Sequence, residues 1–250
     1  MIGFETIGCG PTKVMLLHDW LGDRTNYEAV HPYLDQTRFT WVFPDLRGYG
    51  LSRHLEGFSL EQAISDLIDL ADQIGLVEFA VAGHSMTGMI ALKLAIDWPK
   101  RVRKVILAAP VTAGGLELDD ATRGFFESVA KDQDACRQIV AAVTGGRYDA
   151  AWLDYKARRS RETSTEAARL GYFHNMLLGG GFANALPGLA APVLVLTGAH
   201  DADGFKESDV RAKLAAVSAN CRFETIHEAG HYAMQEAPVR FASLLQQFLS

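Results

Sequence analysis

Phe79-Ala80-Val81-Ala82-Gly83-His84-Ser85-Met86-Thr87-Gly88 is the stretch on which the fold turns. Its first four residues form a short apolar run, the mark of a strand buried on both faces, and Met86 to Ile96 continues with helical spacing. A strand therefore feeds a helix through a tight turn with Ser85 at its apex. That is the context a nucleophile elbow needs: a small residue, Gly83, lets strand and helix approach, and a strained backbone pushes the hydroxyl out of the sheet edge. The helix N-terminus favours negative charge developing there. Taken alone, the stretch also fits a serine that merely caps a helix.

Working outward, further apolar runs bounded by turn residues recur at Val14–Leu17, Thr40–Phe43, Val105–Ala109 and Val193–Thr197. Between the second and the elbow lies Ser59–Ile74, where Leu60, Ala63, Ile64, Leu67, Leu70, Ala71 and Ile74 keep helical spacing. Ser59 and Gln62 have the form of a capping box, and Gly75 stops the helix. Val239–Leu249 is amphipathic in the same way. Strand then helix, repeated, predicts an α/β fold: a mostly parallel β-sheet flanked by helices on both faces. From Thr112 to Ala191 the rhythm breaks into helical patterns, charges and turns such as Gly179-Gly180-Gly181. Residues 112–191 are expected to form a helical cap over a core made of 1–111 and 192–250, because ligands of open α/β sheets sit at the strands' C-terminal ends. Trp152, Tyr155 and Phe173 are expected walls of the substrate pocket, and Lys156, Arg158, Arg159 and Arg161 are expected to lie on a solvated helix face.

The 250 residues are 48% hydrophobic and 22% charged, enough for a sizeable core, and carry a net charge of −6. An acidic balance speaks against nucleic acid or an anionic membrane as partner and leaves a small-molecule substrate. Cys9, Cys136 and Cys221 are odd in number and widely spaced, so neither a disulfide framework nor a thiolate metal site is expected. No apolar run approaches the roughly 20 residues of a membrane span, and no secretory leader is apparent, so a cytoplasmic location is expected.

The remaining motifs carry a resemblance. His18-Asp19-Trp20 follows the first apolar run, and Pro44-Asp45-Leu46-Arg47-Gly48-Tyr49-Gly50-Leu51-Ser52 follows the second. Gly198-Ala199-His200-Asp201 and Glu228-Ala229-Gly230-His231, with Glu236-Ala237-Pro238 beyond, follow the last. With the elbow, these motifs in this order resemble the α/β-hydrolase superfamily over essentially the whole chain. The resemblance implies a catalytic triad of Ser85 as nucleophile, His231 as base and Asp201 as its acid, with Asp203 the competing carboxylate on the same loop. It further implies an oxyanion hole from the backbone N–H groups of Trp20 and Met86. Two positions depart from the family's pattern: Thr87 stands where Gly-x-Ser-x-Gly has its second glycine, and Asp19 replaces a loop glycine. Asp19 is expected to turn from Ser85 and accept N–H bonds from the turn Trp20–Asp23, the alternative being a pocket residue that binds a substrate amine or hydroxyl.

A serine at the elbow sets the chain apart from relatives that use an aspartate there, and implies hydrolysis of a carboxylic ester or lactone of a small, mostly apolar substrate through an acyl-enzyme. A C–C bond hydrolase or acyltransferase on the same triad, or a triad-bearing small-molecule receptor with slow turnover, are the alternatives. No cofactor and no metal are expected, since His18, His84, His200 and His227 lack helix-borne ligand spacing and read as structural. His174 is expected in cap packing.

Overall fold

The computed structural model describes residues 1–179 and 181–250. The chain runs through β1 (Phe4–Ile7), β2 (Thr12–Leu17), β3 (Phe39–Pro44), α1 (Leu60–Gln73), β4 (Phe79–His84), α2 (Thr87–Asp97) and β5 (Val102–Ala108). It continues through α3 (Asp120–Lys131), α4 (Gln133–Val143), α5 (Ala150–Thr163), α6 (Glu166–Tyr172), β6 (Val193–Gly198), α7 (Glu207–Lys213), β7 (Cys221–Ile226), α8 (Ala233–Glu236) and α9 (Pro238–Leu249). The strands form one seven-stranded sheet in the order β1-β3-β2-β4-β5-β6-β7. Only β1 is antiparallel, pairing Glu5 with Phe43.

The five apolar runs become β2 to β6, and every residue of β3, β4 and β6 is buried, as strands covered on both faces require. The outer strands β1 and β7 were not among the expected runs. Both contain the tetrapeptide Phe-Glu-Thr-Ile, at 4–7 and 223–226, which mixes polar with apolar residues; Thr6 is exposed in β1, and Arg222, just before the tetrapeptide, is exposed in β7. A half-covered edge strand takes such a mixture, which a strand covered on both faces does not.

Helix boundaries follow their caps. Ser59 Oγ accepts the Gln62 N–H at 3.2 Å, but the Gln62 side chain bonds Asp66 at 3.2 Å, so only half of the capping box forms. Gly75, at φ 72°, ends that helix in the left-handed conformation. Between β5 and β6 the helices open on Asp119, Asp132, Asp149 and Thr165, whose side chains accept N–H bonds from Thr122, Ala135, Trp152 and Ala168. Gly180 of the expected glycine turn lies outside the described residues.

The basic cluster on α5 departs from expectation. Arg158 is solvated beside Glu162, but Arg161 donates to the carbonyls of Ala130 and Val129, and Lys156 is only 3% exposed, its ammonium 3.0 Å from Asn26 Oδ1. Helical phase decides this: Lys156, Ala157 and Ser160 form the buried face of α5.

Candidate active site

Ser85 follows β4 in the left-handed region, at φ 52°. A non-glycine residue there stores strain of about 1–3 kcal/mol, tolerated only where the surroundings fix it. They do: Ser85 N–H donates to Ala108 O at 2.9 Å, and Ser85 O accepts from Gly88 and Val111 at 3.0 and 2.8 Å. A Cβ on Gly83 would lie 2.2 Å from Thr87 O, so strand and helix cross there only because Gly83 has none. Thr87 strengthens the turn. Its hydroxyl accepts the His84 N–H at 2.9 Å and lies 3.1 Å from Leu17 O and 3.0 Å from His84 O, within donating reach of both. The close crossing that a second glycine would serve falls to Gly88, whose Cβ would meet Pro110 Cβ at 2.7 Å. Thr87→Val, which keeps the shape but strands a buried N–H, is expected to cost about 1–3 kcal/mol in denaturant unfolding. An unchanged midpoint would show that the hydroxyl is not what holds the turn.

His231 and Asp201 arrive on loops after β7 and β6. His231 Nδ1 lies 2.8 Å from Asp201 Oδ2, and Asp201 Oδ1 accepts the Ala202 N–H at 2.7 Å. The loops touch so closely that a Cβ on Gly198 would lie 2.1 Å from Gly230 O. Glu236 clamps the histidine loop by accepting N–H bonds from Gly230 and Tyr232, both at 2.8 Å, and is itself paired with Arg147. Asp203 instead is solvent-exposed and pairs with Lys206 at 2.7 Å. Burial pulls the His231 pKa down, but the Asp201 charge and hydrogen bond outweigh it and hold the imidazole above its ordinary value.

Ser85 and His231 line one narrow cavity of about 60 Å³, together with Asp19, Trp20, Met86 and Tyr232. With Nδ1 held by Asp201, Nε2 is the ring nitrogen left to face it. The backbone N–H groups of Trp20 and Met86 have no acceptor among the described residues. Trp20 is held by its own side chain, Nε1–H donating to Arg169 O at 2.8 Å, and by Tyr49 OH donating to its carbonyl at 2.9 Å. His84, fully buried, donates from Nε2 to His231 O at 2.9 Å; burial takes its pKa down to about 3, so it is a neutral prop for the loop. His18 donates from Nδ1 to Asp19 O and accepts the Leu46 N–H on Nε2.

Asp19 lines the cavity, and its Oδ2 accepts the Leu21 N–H at 3.2 Å from the expected turn. The three expected walls, Trp152, Tyr155 and Phe173, do not line it. Tyr155 is 44% exposed on the outer side of α5. Trp152 packs on Tyr148 and against the edge of Tyr232, and Phe173 is buried behind Trp20 and Phe126. Large aromatic rings fill the layer between helices, while Leu116, Phe126, Ile139, Val143 and Leu177 from the helical segment line the cavity. Sequence spacing could not assign these, because which face of each helix meets the sheet depends on how the helices pack. His174, 44% exposed at its side chain, faces Glu127 at 3.5 Å. Among the described residues no cluster of three His, Cys, Asp or Glu side chains is placed to hold a metal, and no helix is long and apolar enough to cross a membrane.

A protein-family model described as "Alpha/beta hydrolase family" matches residues 14–244. The dihydrolipoyllysine-residue acetyltransferase component of the acetoin cleaving system of Cupriavidus necator is 29% identical over 97% of this chain, which spans only 64% of that protein. The pimeloyl-(acyl-carrier protein) methyl ester esterase of Nitrosomonas europaea is 29% identical over 80% of this chain and 81% of its own length. Among solved structures, a thermophilic esterase from Thermogutta terrifontis superposes with a TM-score of 0.81 at 24% identity, covering 99% of this chain and 92% of the other. With that sheet order and an elbow after its central strand, the chain belongs to the α/β hydrolase family.

Proposed function

We propose that the protein is a serine hydrolase that cleaves a carboxylic ester or lactone of a small, mostly apolar substrate. The observation that carries this reading is the strained Ser85 and the Asp201-anchored His231 in one cavity with largely apolar walls. His231 Nε2 takes the Ser85 proton as Oγ attacks the carbonyl carbon, and the oxygen that becomes negative lies against the N–H groups of Trp20 and Met86. Collapse breaks the C–O bond, and the imidazolium gives its proton to the departing alkoxide. Water, deprotonated by the same imidazole, then releases the acid and restores Ser85. In a lactone the departing alkoxide stays tethered to the acyl group.

Residues 112–191 act in this reading as a cap over the core of 1–111 and 192–250. Past Phe126 and Phe205 the cavity meets a wider groove rimmed by Glu117, Asp203 and Lys213, room for a substrate arm that outgrows the inner chamber. Phe126→Ala is therefore expected to raise KM several-fold for apolar esters while leaving kcat nearly unchanged, as loss of uniform binding does. An unaltered KM would leave the segment no part in binding. Deleting the segment is a poorer test, because His231 N–H donates to Val143 O and Trp20 Nε1–H to Arg169 O.

The same geometry fixes a pH dependence. Only neutral His231 accepts the proton, and Asp201 stabilises its charged form, so kcat/KM is expected to fall on acidification through a pKa above 6.5. In Asp201→Asn that limb should move to lower pH. A rate flat between pH 5 and 8 contradicts a histidine base. One observation favours a second reading, acyl transfer to an acceptor other than water: a relative spanning nearly the whole chain is named for acetyl transfer. A panel of activated esters, lactones and vinylogous diketones, with and without added thiol or alcohol acceptors, tests both. Turnover confined to diketones, or products carrying the acceptor, would displace ester hydrolysis.

A further inference from the structure

Asp19 immediately precedes Trp20 and lines the cavity with Ser85, although it is only 2% exposed. Its Oδ1 receives the Asn26 amide at 2.5 Å. Asn26 Oδ1 in turn receives Lys156 Nζ at 3.0 Å and Gln235 Nε2 at 3.1 Å. Lys156 Nζ also sits 4.0 Å over the Tyr232 ring. A chain of polar contacts thus runs from α5, in the helical segment, through Asn26 to the loop that carries Trp20. A lysine drawn into the interior loses hydration that an apolar side chain of its length would not, so its value must lie in what it faces.

The described titratable groups around Asp19 are His84, Lys156, His18 and His231, with the phenols of Tyr27, Tyr49 and Tyr232, which burial raises above their ordinary value and so keeps neutral. His84 is neutral, with its pKa taken down to about 3. His18 accepts the Leu46 N–H on Nε2 and so has no proton there. His231 must be neutral to act as base. Among the described residues Lys156, reached through Asn26, is therefore the cation that faces Asp19 at the start of the reaction. Burial pushes the Asp19 carboxyl up, and with the three histidines neutral it is Lys156 that opposes this. Burial takes Lys156 below its ordinary value and Asp19 partly offsets this; the lysine also faces Asp23 from the loop after β2, Cys136 on α4 and Arg159 on its own helix.

We propose that Lys156 is a positioning residue whose charge, relayed through Asn26, allows an ionised Asp19 to stand beside the oxyanion-binding amides. The proposal rests on the serine-hydrolase reading. Without the lysine, a bare carboxylate in the cavity opposes the negative charge that forms on the substrate oxygen. Unit charges about 6 Å apart in a medium of effective dielectric about 20 repel enough to slow a reaction roughly a hundredfold. The same bare carboxylate favours protonated His231.

The test compares wild type, Lys156→Met, Asp19→Asn and the double variant, by hydrolysis of an activated ester across pH. Lys156→Met is expected to lose about 10- to 100-fold in kcat with KM nearly unchanged, and to move the acid limb to higher pH. Adding Asp19→Asn should recover most of that loss and bring the limb back down, a coupling that loss of packing would not produce. Lys156→Met within threefold of wild type, or single-variant losses that simply multiply in the double variant, overturns the proposal. If Lys156→Met fails to fold, the double variant decides: recovery of a folded, active protein supports the pairing, and a double variant as unfolded as the single one overturns it. Wild type that neither turns over the ester nor labels at Ser85 with a fluorophosphonate would defeat the hydrolase reading instead.

Discussion

Ser85→Ala is expected to lower ester hydrolysis by about 10⁴-fold or more while leaving the fold intact, because the covalent intermediate has no other oxygen to form on. No described residue bonds the Ser85 hydroxyl, and the residue is held by its backbone through Ala108, Gly88 and Val111, so stability should change little. Ser85→Gly sharpens the test. Glycine adopts φ 52° without strain, so that variant should be as inactive as the alanine one and more stable by about 1 kcal/mol. An inactive but markedly destabilised alanine variant would point to a structural serine. More than a tenth of wild-type turnover would remove Ser85 from the chemistry.

The second large effect separates two carboxylates on one loop. Asp201→Asn should cost about 10⁴-fold in kcat, because an amide in place of Oδ2 no longer holds His231 in the tautomer that leaves Nε2 free to accept a proton. Asp203→Asn should lie within about twofold of wild type, since its exposed pair with Lys206 is screened by solvent and lies away from His231. Steady-state kinetics of both variants on one activated ester settles the assignment. Reversed outcomes would move the acid to Asp203.

The sequence exposes most where one interaction dominates. Strands β2 to β6 are legible because double burial leaves only apolar residues. β1 and β7 are not, because each edge strand mixes polar with apolar residues over a short run and resembles a loop. The turn at Ser85 and the loops of Asp201 and His231 are legible as places because each sits at a strand end where glycine spacing is forced by close approach, as at Gly83 and Gly198. Cavity walls are hidden by comparison. Trp152, Tyr155 and Phe173 attract notice by size, yet helix packing turns them outward or into the interlayer and gives the cavity to Leu116, Ile139 and Val143. Lys156 is misread for the same reason: its charge suggests solvent, and only the packing of α5 shows that Asn26 and the Tyr232 ring receive it.

Intact-mass and peptide mapping after reaction with a fluorophosphonate tests the central claim most directly, because only an activated serine attacks the phosphorus rapidly. A single adduct on Ser85 is expected, formed at a rate that rises with pH along the His231 limb, slowed severely by Asp201→Asn and absent in Ser85→Ala. An adduct on another residue, or ester turnover that persists with Ser85 unlabelled, would contradict it.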